Sequence, residues 1–178
     1  MKIESYLKDK RVCLLGNAQS ILQKENPIDT YDVVCRCNRG FPWGKEKFIG
    51  SKTDILFTSY AVNPTDLKKL APRYIVWCTP RHEKMTPEFA DEVDMVFAMK
   101  DWINLERELG SRPSTGCMAI YWLMNHAPFK SLDVYGFDFW KSNTWWEPRT
   151  APIPHNPEAE KKYIEWLEDK NSCLTIMR

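Results

Sequence analysis

The stretch RVCLLGNAQSILQKENPIDTYDVVCRCN (11–38) holds two apolar runs, 11–16 and 31–38, on either side of a segment with helical spacing at 18–25. Most of the chain's apolar runs are continuous rather than alternating, unlike a strand with one wet face, although Cys35 and Cys37 alternate along the second. Continuous apolar runs belong to a parallel sheet covered on both faces. Working outward, five further β-rich runs follow at 54–60, 73–79, 94–99, 132–139 and 173–177. Helical patterns separate them at 65–71, 86–93, 101–109, 115–126 and 157–170. The alternation predicts one α/β domain over residues 1–178: a single Rossmann-like, mostly parallel twisted sheet of seven strands flanked by helices. In such sheets ligands bind beyond the C-terminal ends of the strands, so the residues just after each run carry the functional reading.

Composition narrows the classes. A length of 178 residues suits one domain with a real core, and 43% hydrophobic content is ordinary, but eight Trp suggest flat platforms as well as core. A formal net charge of +1 gives no electrostatic case for nucleic acid or an anionic membrane. The longest apolar run, GCMAIYWLM (116–124), is too short to span a bilayer, and MKIESYLKDKR (1–11) lacks the apolar core of a signal peptide. Six Cys include no C-x-x-C pair, and with only three His no structural metal site is expected. Reduced thiols point to a cytoplasmic protein.

At the first strand end, GNAQS (16–20) offers Gly16 for a tight turn, with Asn17 and Ser20 at a helix start where free N–H groups favour an anion. Asn17 also reads as a plain helix cap. The stretch is neither G-x-G-x-x-G nor a P-loop, which disfavours a dinucleotide or a triphosphate. RCNRG (36–40) clusters Arg36, Asn38 and Arg39, which a core does not need; Asn38 either bonds a base or ribose edge or makes an Asx-turn. GSKTDILFTSY (50–60) delivers Thr58, Ser59 and Tyr60 to the same edge.

SRPSTGCMAIYWLMNH (111–126) contains a helix apolar nearly all round, hence buried, with Ser114 or Thr115 as its cap. An N-terminus at Ser114, Thr115 and Gly116 makes an anion cradle, beside which Arg112 adds a full positive charge; an ordinary capped core helix is the plainer alternative. LDVYGFDFWKSNTWWEP (132–148) turns at Gly136 and crowds Tyr135, Asp138, Trp140, Trp145 and Trp146 into one loop. That loop is an aromatic platform for a sugar or nucleoside, a structural Trp cluster, or a subunit contact in a homo-oligomer. Last comes APIPHNPEAEKKYIEWLEDK (151–170), with Asn156 as helix cap, Pro157 at the first helical position, and an apolar stripe of Ala159, Tyr163, Ile164 and Leu167. His155 stands just outside that N-terminus, where the partial positive charge lowers its pKa, as a general base requires. Glu160 pulls the other way or orients the ring.

Taken in order, these segments resemble the sialyltransferases. LLGNAQSIL…IDTYDVVCRCN is similar to the large sialylmotif of the animal enzymes, RPSTGCMAIYWL…LDVYGFDF to the small one, and HNPEAE to the very small one. The bacterial enzymes of the Campylobacter type share the same ordered skeleton, and the resemblance runs over about 12–168. It implies the GT-A-like variant of the Rossmann-like fold, an inverting transfer from a CMP-activated acidic sugar to a hydroxyl acceptor, and no metal or other cofactor. By the same resemblance Gly16, Asn17, Ser20, Asn38, Ser114, Thr115 and Gly116 bind the nucleotide. Tyr135, Asp138 and Trp140 face the phosphate or donor sugar, Arg112 is an active-site arginine, His155 is the base, and Arg36, Ser59 and Glu160 support them. The expected partners are a nucleotide-sugar donor and a glycan or small-molecule acceptor.

The expected departures from the animal pattern are no anchor and no Cys near Pro128 to pair with the large motif, which fits a bacterial or viral protein. Two rivals stand beside this reading: a magnesium-dependent phosphotransferase of the pterin pyrophosphokinase type, and a nucleotide-binding protein without catalysis.

Overall fold

In the computed structural model, which describes residues 2–148 and 154–178, the apolar runs become one parallel sheet. Its strands are β1 (Arg11–Leu15), β2 (Val33–Cys37), β3 (Ile55–Thr58), β4 (Tyr74–Trp77), β5 (Met95–Val96), β6 (Ser131–Tyr135) and β7 (Leu174–Ile176). They lie in the order β5-β4-β3-β2-β1-β6-β7, and every pairing is parallel. The chain moves outward from β1 to β5, then returns to place β6 on the other side of β1. The direction of winding therefore reverses between β1 and β6, and the crevice at a parallel sheet's ligand edge opens at such a reversal.

Helices cover both faces: α1 (Ile3–Leu7), α2 (Glu46–Ile49), α3 (Pro64–Leu70), α4 (Pro87–Ala90), α5 (Met99–Leu109), α6 (Thr115–His126) and α7 (Pro157–Lys170). Adjacent residues of β1 go to opposite faces. Val12 and Leu14 join the core built with α5, α6 and α7, while Cys13 and Leu15 join one with Ile21, Ile28 and Ile49. Two-sided burial is what removes the alternation from the sequence. Helix α6 is the central support, with Cys117, Met118, Ala119, Ile120, Trp122 and Leu123 all buried.

The helix expected at 18–25 is instead a 3-10 turn over Gln19–Gln23. Gly16 and Ala18 donate back to the β6 end at the Tyr135 and Gly136 carbonyls, and Ala18 forms an antiparallel bridge with Thr144. The Asn26 side-chain amide then takes the Ile21, Lys24 and Phe48 carbonyls, so the segment is tied to neighbours rather than to its own next turn. Strand β6 stops at Tyr135, short of the expected 139, because Gly136 turns the chain with φ +68. Among the described residues no helix is long and apolar enough to cross a membrane.

Candidate active site

Beyond the β1 and β6 ends lies a cleft of about 300 Å³, lined by residues from the loops after β1, β2, β3 and β6 and from the N-termini of α6 and α7. Its floor is a contact of glycines with an aromatic ring. A Cβ on Gly16 would lie 2.4 Å from the Gly136 carbonyl and 2.6 Å from the Phe137 ring, and one on Gly116 would lie 2.6 Å from that ring. All three distances are below van der Waals contact, so these positions admit only glycine unless the floor moves. Phe137 is a cleft residue that sequence reasoning missed; the signal was three glycines that meet only in space.

Asn17 and Asn38 line the cleft on its β1–β2 side. Asn17 is not a helix cap: the 3-10 turn has Ala18 at that position, with no side-chain bond. Its Nδ2 donates to the Cys37 carbonyl at 3.0 Å. Because a carbonyl only accepts, the amide orientation is fixed, and Oδ1 is left buried without a hydrogen-bond partner among the described residues. Such an acceptor costs about 1–3 kcal/mol until a donor arrives. Asn38 sits in the left-handed region with φ 52, a conformation Asn tolerates, and its Oδ1 accepts from the Ser59 amide at 2.9 Å. That tie holds β2 and β3 together at the cleft edge. Ser59 Oγ and Thr115 Oγ1 are 2.8 Å apart, so one hydroxyl proton of the pair stays available to a ligand.

The two helix N-termini are tied to each other. Ser114 caps α6 by accepting from the Cys117 amide, and donates its own amide and hydroxyl to Glu160 on α7, each at 2.7 Å. The amides of Thr115 and Gly116 are left without intrahelical acceptors, directed at the anion end of the helix dipole. Glu160 is buried, and burial pushes its carboxyl up to about 7 against the pull of the two Ser114 bonds. Its expected role of orienting the His155 ring is therefore corrected: Glu160 braces Ser114. Asn156 caps α7 by accepting from Ala159, and Pro157 takes the first helical position, as expected.

His155 is half-buried at the cleft wall, its Nδ1 2.8 Å from the Arg112 carbonyl. That carbonyl can only accept, so the proton sits on Nδ1 and the neutral ring presents Nε2 as a free base. Burial lowers the His155 pKa below 6.5; the carbonyl bond raises it, the Arg112 charge lowers it, and the net direction is down. The Trp140 ring lies alongside, with centroids 5.6 Å apart and planes 32° from parallel. Phe139 and Trp140 reach that position in left-handed backbone, φ 54 and 63, which costs bulky residues about 1–3 kcal/mol each. Asp138 holds the loop there, accepting from the Ser142 amide and hydroxyl and from Ser20. Arg112 lines the cleft with no carboxylate partner among the described residues, and burial together with Arg81 lowers its pKa.

Three further expectations are corrected. Arg36 is fully buried and sits away from the cleft, donating to the carbonyls of Ile49, Gly50 and Lys52 and to Thr53 Oγ1. Its place on β2 points it to the sheet face opposite α6. Tyr135 is also turned away, its hydroxyl 2.9 Å from that of Tyr31, whose own hydroxyl bonds Asp133. Ser20 does not line the cleft and reaches it only through Asp138. The Trp loop divides: Trp140 and Trp146 line the cleft, while Trp145 packs on the core.

The arrangement defines a class, a parallel α/β domain whose sheet-end cleft joins amide acceptors, two helix N-termini, an arginine and a neutral histidine. No protein-family model matches the sequence, and no curated protein matches it. Solved structures do match in fold, sialyltransferases among them. A mammalian sialyltransferase in complex with Gal-beta-1-3GalNAc-ortho-nitrophenol superposes with TM-score 0.70 at 18% identity, over 95% of this chain and 69% of that one. CstII from Campylobacter jejuni, in complex with the substrate analogue CMP-3FNeuAc, gives 0.62 at 18% identity over 94% and 79%. The monofunctional alpha-2,3-sialyltransferase Cst-I from the same organism gives 0.62 at 15% over 94% and 75%. The seven-stranded parallel sheet with its flanking helices is thus the sialyltransferase fold.

Proposed function

We propose that the protein is an inverting, metal-independent glycosyltransferase that moves a CMP-activated acidic sugar, such as sialic acid, onto a hydroxyl acceptor. The observation that carries this is the His155–Arg112 unit: a neutral imidazole whose Nδ1–H is pinned to a backbone carbonyl, leaving Nε2 as the base. Structures of this fold in complex with CMP and with CMP-3FNeuAc support the donor class.

In the reaction the acceptor oxygen forms a bond to the anomeric carbon from the face opposite the nucleotide. The bond from that carbon to the phosphate oxygen breaks, and its electron pair leaves with CMP. The acceptor proton goes to His155 Nε2. A single phosphate is a good leaving group, and the Arg112 guanidinium with the Thr115 and Gly116 amides supplies positive charge for the departing phosphate and the sugar carboxylate. Asn17 Oδ1 and Asn38 Nδ2 present an acceptor and a donor to the nucleoside. Trp140 packs beside His155 and covers one side of its ring. Tyr135, turned to Tyr31, takes no part. The two carboxylates lining the cleft, Asp138 and Glu160, are both committed to serines, which supports a mechanism without a metal held there. Among the described residues no group of three or more His, Cys, Asp or Glu converges as a metal site.

Calorimetric titration with CMP, UMP, AMP and GTP, with and without magnesium, tests the reading. It predicts selective CMP binding that ignores magnesium and is lost in Asn38→Ala. Binding of GTP with magnesium alone would move the protein to the phosphotransferase class. Binding of CMP with no turnover of a CMP-sugar would leave a nucleotide-binding module.

A further inference from the structure

One part of the cleft rim is not used by that mechanism. Tyr60, 45% exposed just after β3, lines the cleft, and two cations lie over its ring: the Arg39 guanidinium at 5.9 Å and the Lys84 ammonium at 5.7 Å. Arg39 is also 5.9 Å from the Trp146 ring, itself on the cleft wall. Arg81, exposed in the turn after β4, lies close enough to Arg112 for its charge to lower the Arg112 pKa. None of these four cations makes an ion pair with a carboxylate among the described residues, not even Lys84 with its sequence neighbour Glu83. Elsewhere cations do find carboxylates: Lys52 meets Asp54 at 3.2 Å, and Arg178 meets Glu168 at 2.9 Å. Like charges gathered without a counterion repel one another, while electron-rich ring faces hold Arg39 and Lys84 at modest gain. In a chain of net charge +1, this concentration at one rim is local.

We infer that the Arg39, Tyr60, Arg81 and Lys84 rim is an acceptor subsite for an anionic group, so that the acceptor is an acidic saccharide bearing a carboxylate or a phosphate. The inference rests on the glycosyltransferase reading and deepens it. Arg112 links the two regions: its carbonyl holds His155 at 2.8 Å, and the Arg81 charge lowers its pKa. The donor's phosphate and carboxylate are served by Arg112 and the α6 N-terminus, inside the cleft. The exposed cations, in the loops after β2 and β4, are not among the cleft-lining residues, and they flank Tyr60 at its rim, where a second substrate would meet them. The charge steers an anion to the rim, and the exposed faces of Tyr60 and Trp146 give a sugar ring something to lie on.

The test is a two-stage titration of the full chain and of the double variant Arg81→Ala/Lys84→Ala. CMP is titrated first; if the wild type does not bind it, the glycosyltransferase reading itself fails and the result is recognisable as such. The CMP-saturated proteins are then titrated with trigalacturonate beside galactotriose, and with galactose 6-phosphate beside galactose. The expected result is that one or both acidic probes bind the wild type about tenfold tighter than the neutral counterpart, and that the preference falls about tenfold in the double variant while CMP affinity is unchanged. The carboxylate and phosphate arms show which anion the rim takes. Equal binding of acidic and neutral probes, no saccharide binding at all, or an undiminished preference in the double variant would each overturn the subsite. Loss of CMP affinity in that variant would assign the cations to the donor instead and overturn it as well.

Discussion

Two regions of this molecule each gather backbone around an arginine, and they do so in opposite ways. Around Arg36, the segment 49–53 turns its carbonyls inward until the guanidinium is fully enclosed, and Asp29 grips the far side of the same segment through the Ser51 and Lys52 amides. Burial lowers the Arg36 pKa only to about 10, so it stays charged at neutral pH. Around Arg112, the backbone gives its carbonyl to His155 and leaves the guanidinium open to the cleft. One charge is consumed in holding a loop, while the other lines the cleft and, under the proposed function, meets a ligand. Residue type in the sequence does not separate the two; the partners do.

Removing each arginine is the sharpest way to break that comparison. Arg36→Ala strips donors from several buried carbonyls at once and should cost about 3–5 kcal/mol of folding stability, read by urea denaturation. Arg36→Lys should recover little, because an ammonium cannot span the same fork of acceptors. Arg112→Ala should leave stability within about 0.5 kcal/mol but slow CMP release from CMP-sialic acid by about 100-fold. If the two variants exchanged phenotypes, the division into structural and functional charge would be wrong.

The glycine floor sharpens the comparison at a smaller scale. Gly16→Ala meets a backbone carbonyl, which cannot swing aside, and should cost about 2–3 kcal/mol by thermal unfolding. Gly116→Ala meets only the Phe137 ring, which can rotate, and should cost nearer 1 kcal/mol. Glu160 gives the smallest effect, and its sign is opposite to that of His155. With its folded pKa raised from 4.5 to about 7, Glu160 withdraws stability as pH rises through that window. His155, with its folded pKa lowered, withdraws stability as pH falls below 6.5. Glu160→Gln should therefore flatten the upper limb of melting temperature against pH, a gain of about 1 kcal/mol at pH 8.

Much of this was legible in the sequence, and the gaps have physical causes. Each of the seven apolar runs became a strand, because burial on both sheet faces leaves a plain compositional mark. The caps on α6 and α7 were legible because Ser114 and Asn156 act on amides three residues away. Helices α1 and α2, five and four residues long, carry too few turns for a period to show. Arg36 and Tyr135 were misassigned because their partners, Ile49 and Tyr31, lie far away along the chain, and Glu160, a supporting cleft residue as expected, braces Ser114 rather than His155 for the same reason. Lys84 was never singled out: it lies in a turn, and only the fold brings it over Tyr60.

The most direct test is the pH dependence of CMP release from CMP-sialic acid, measured on the wild type, Glu160→Gln and His155→Ala, with CMP affinity checked for each. The prediction is a rate that rises along a limb with its midpoint below 6.5 and then stays level through pH 8. The limb persists in Glu160→Gln and disappears in His155→Ala, whose plateau rate falls by about 100- to 10,000-fold while CMP still binds. A folded, CMP-binding His155→Ala protein that kept both the limb and a near-normal rate would show that another group is the base.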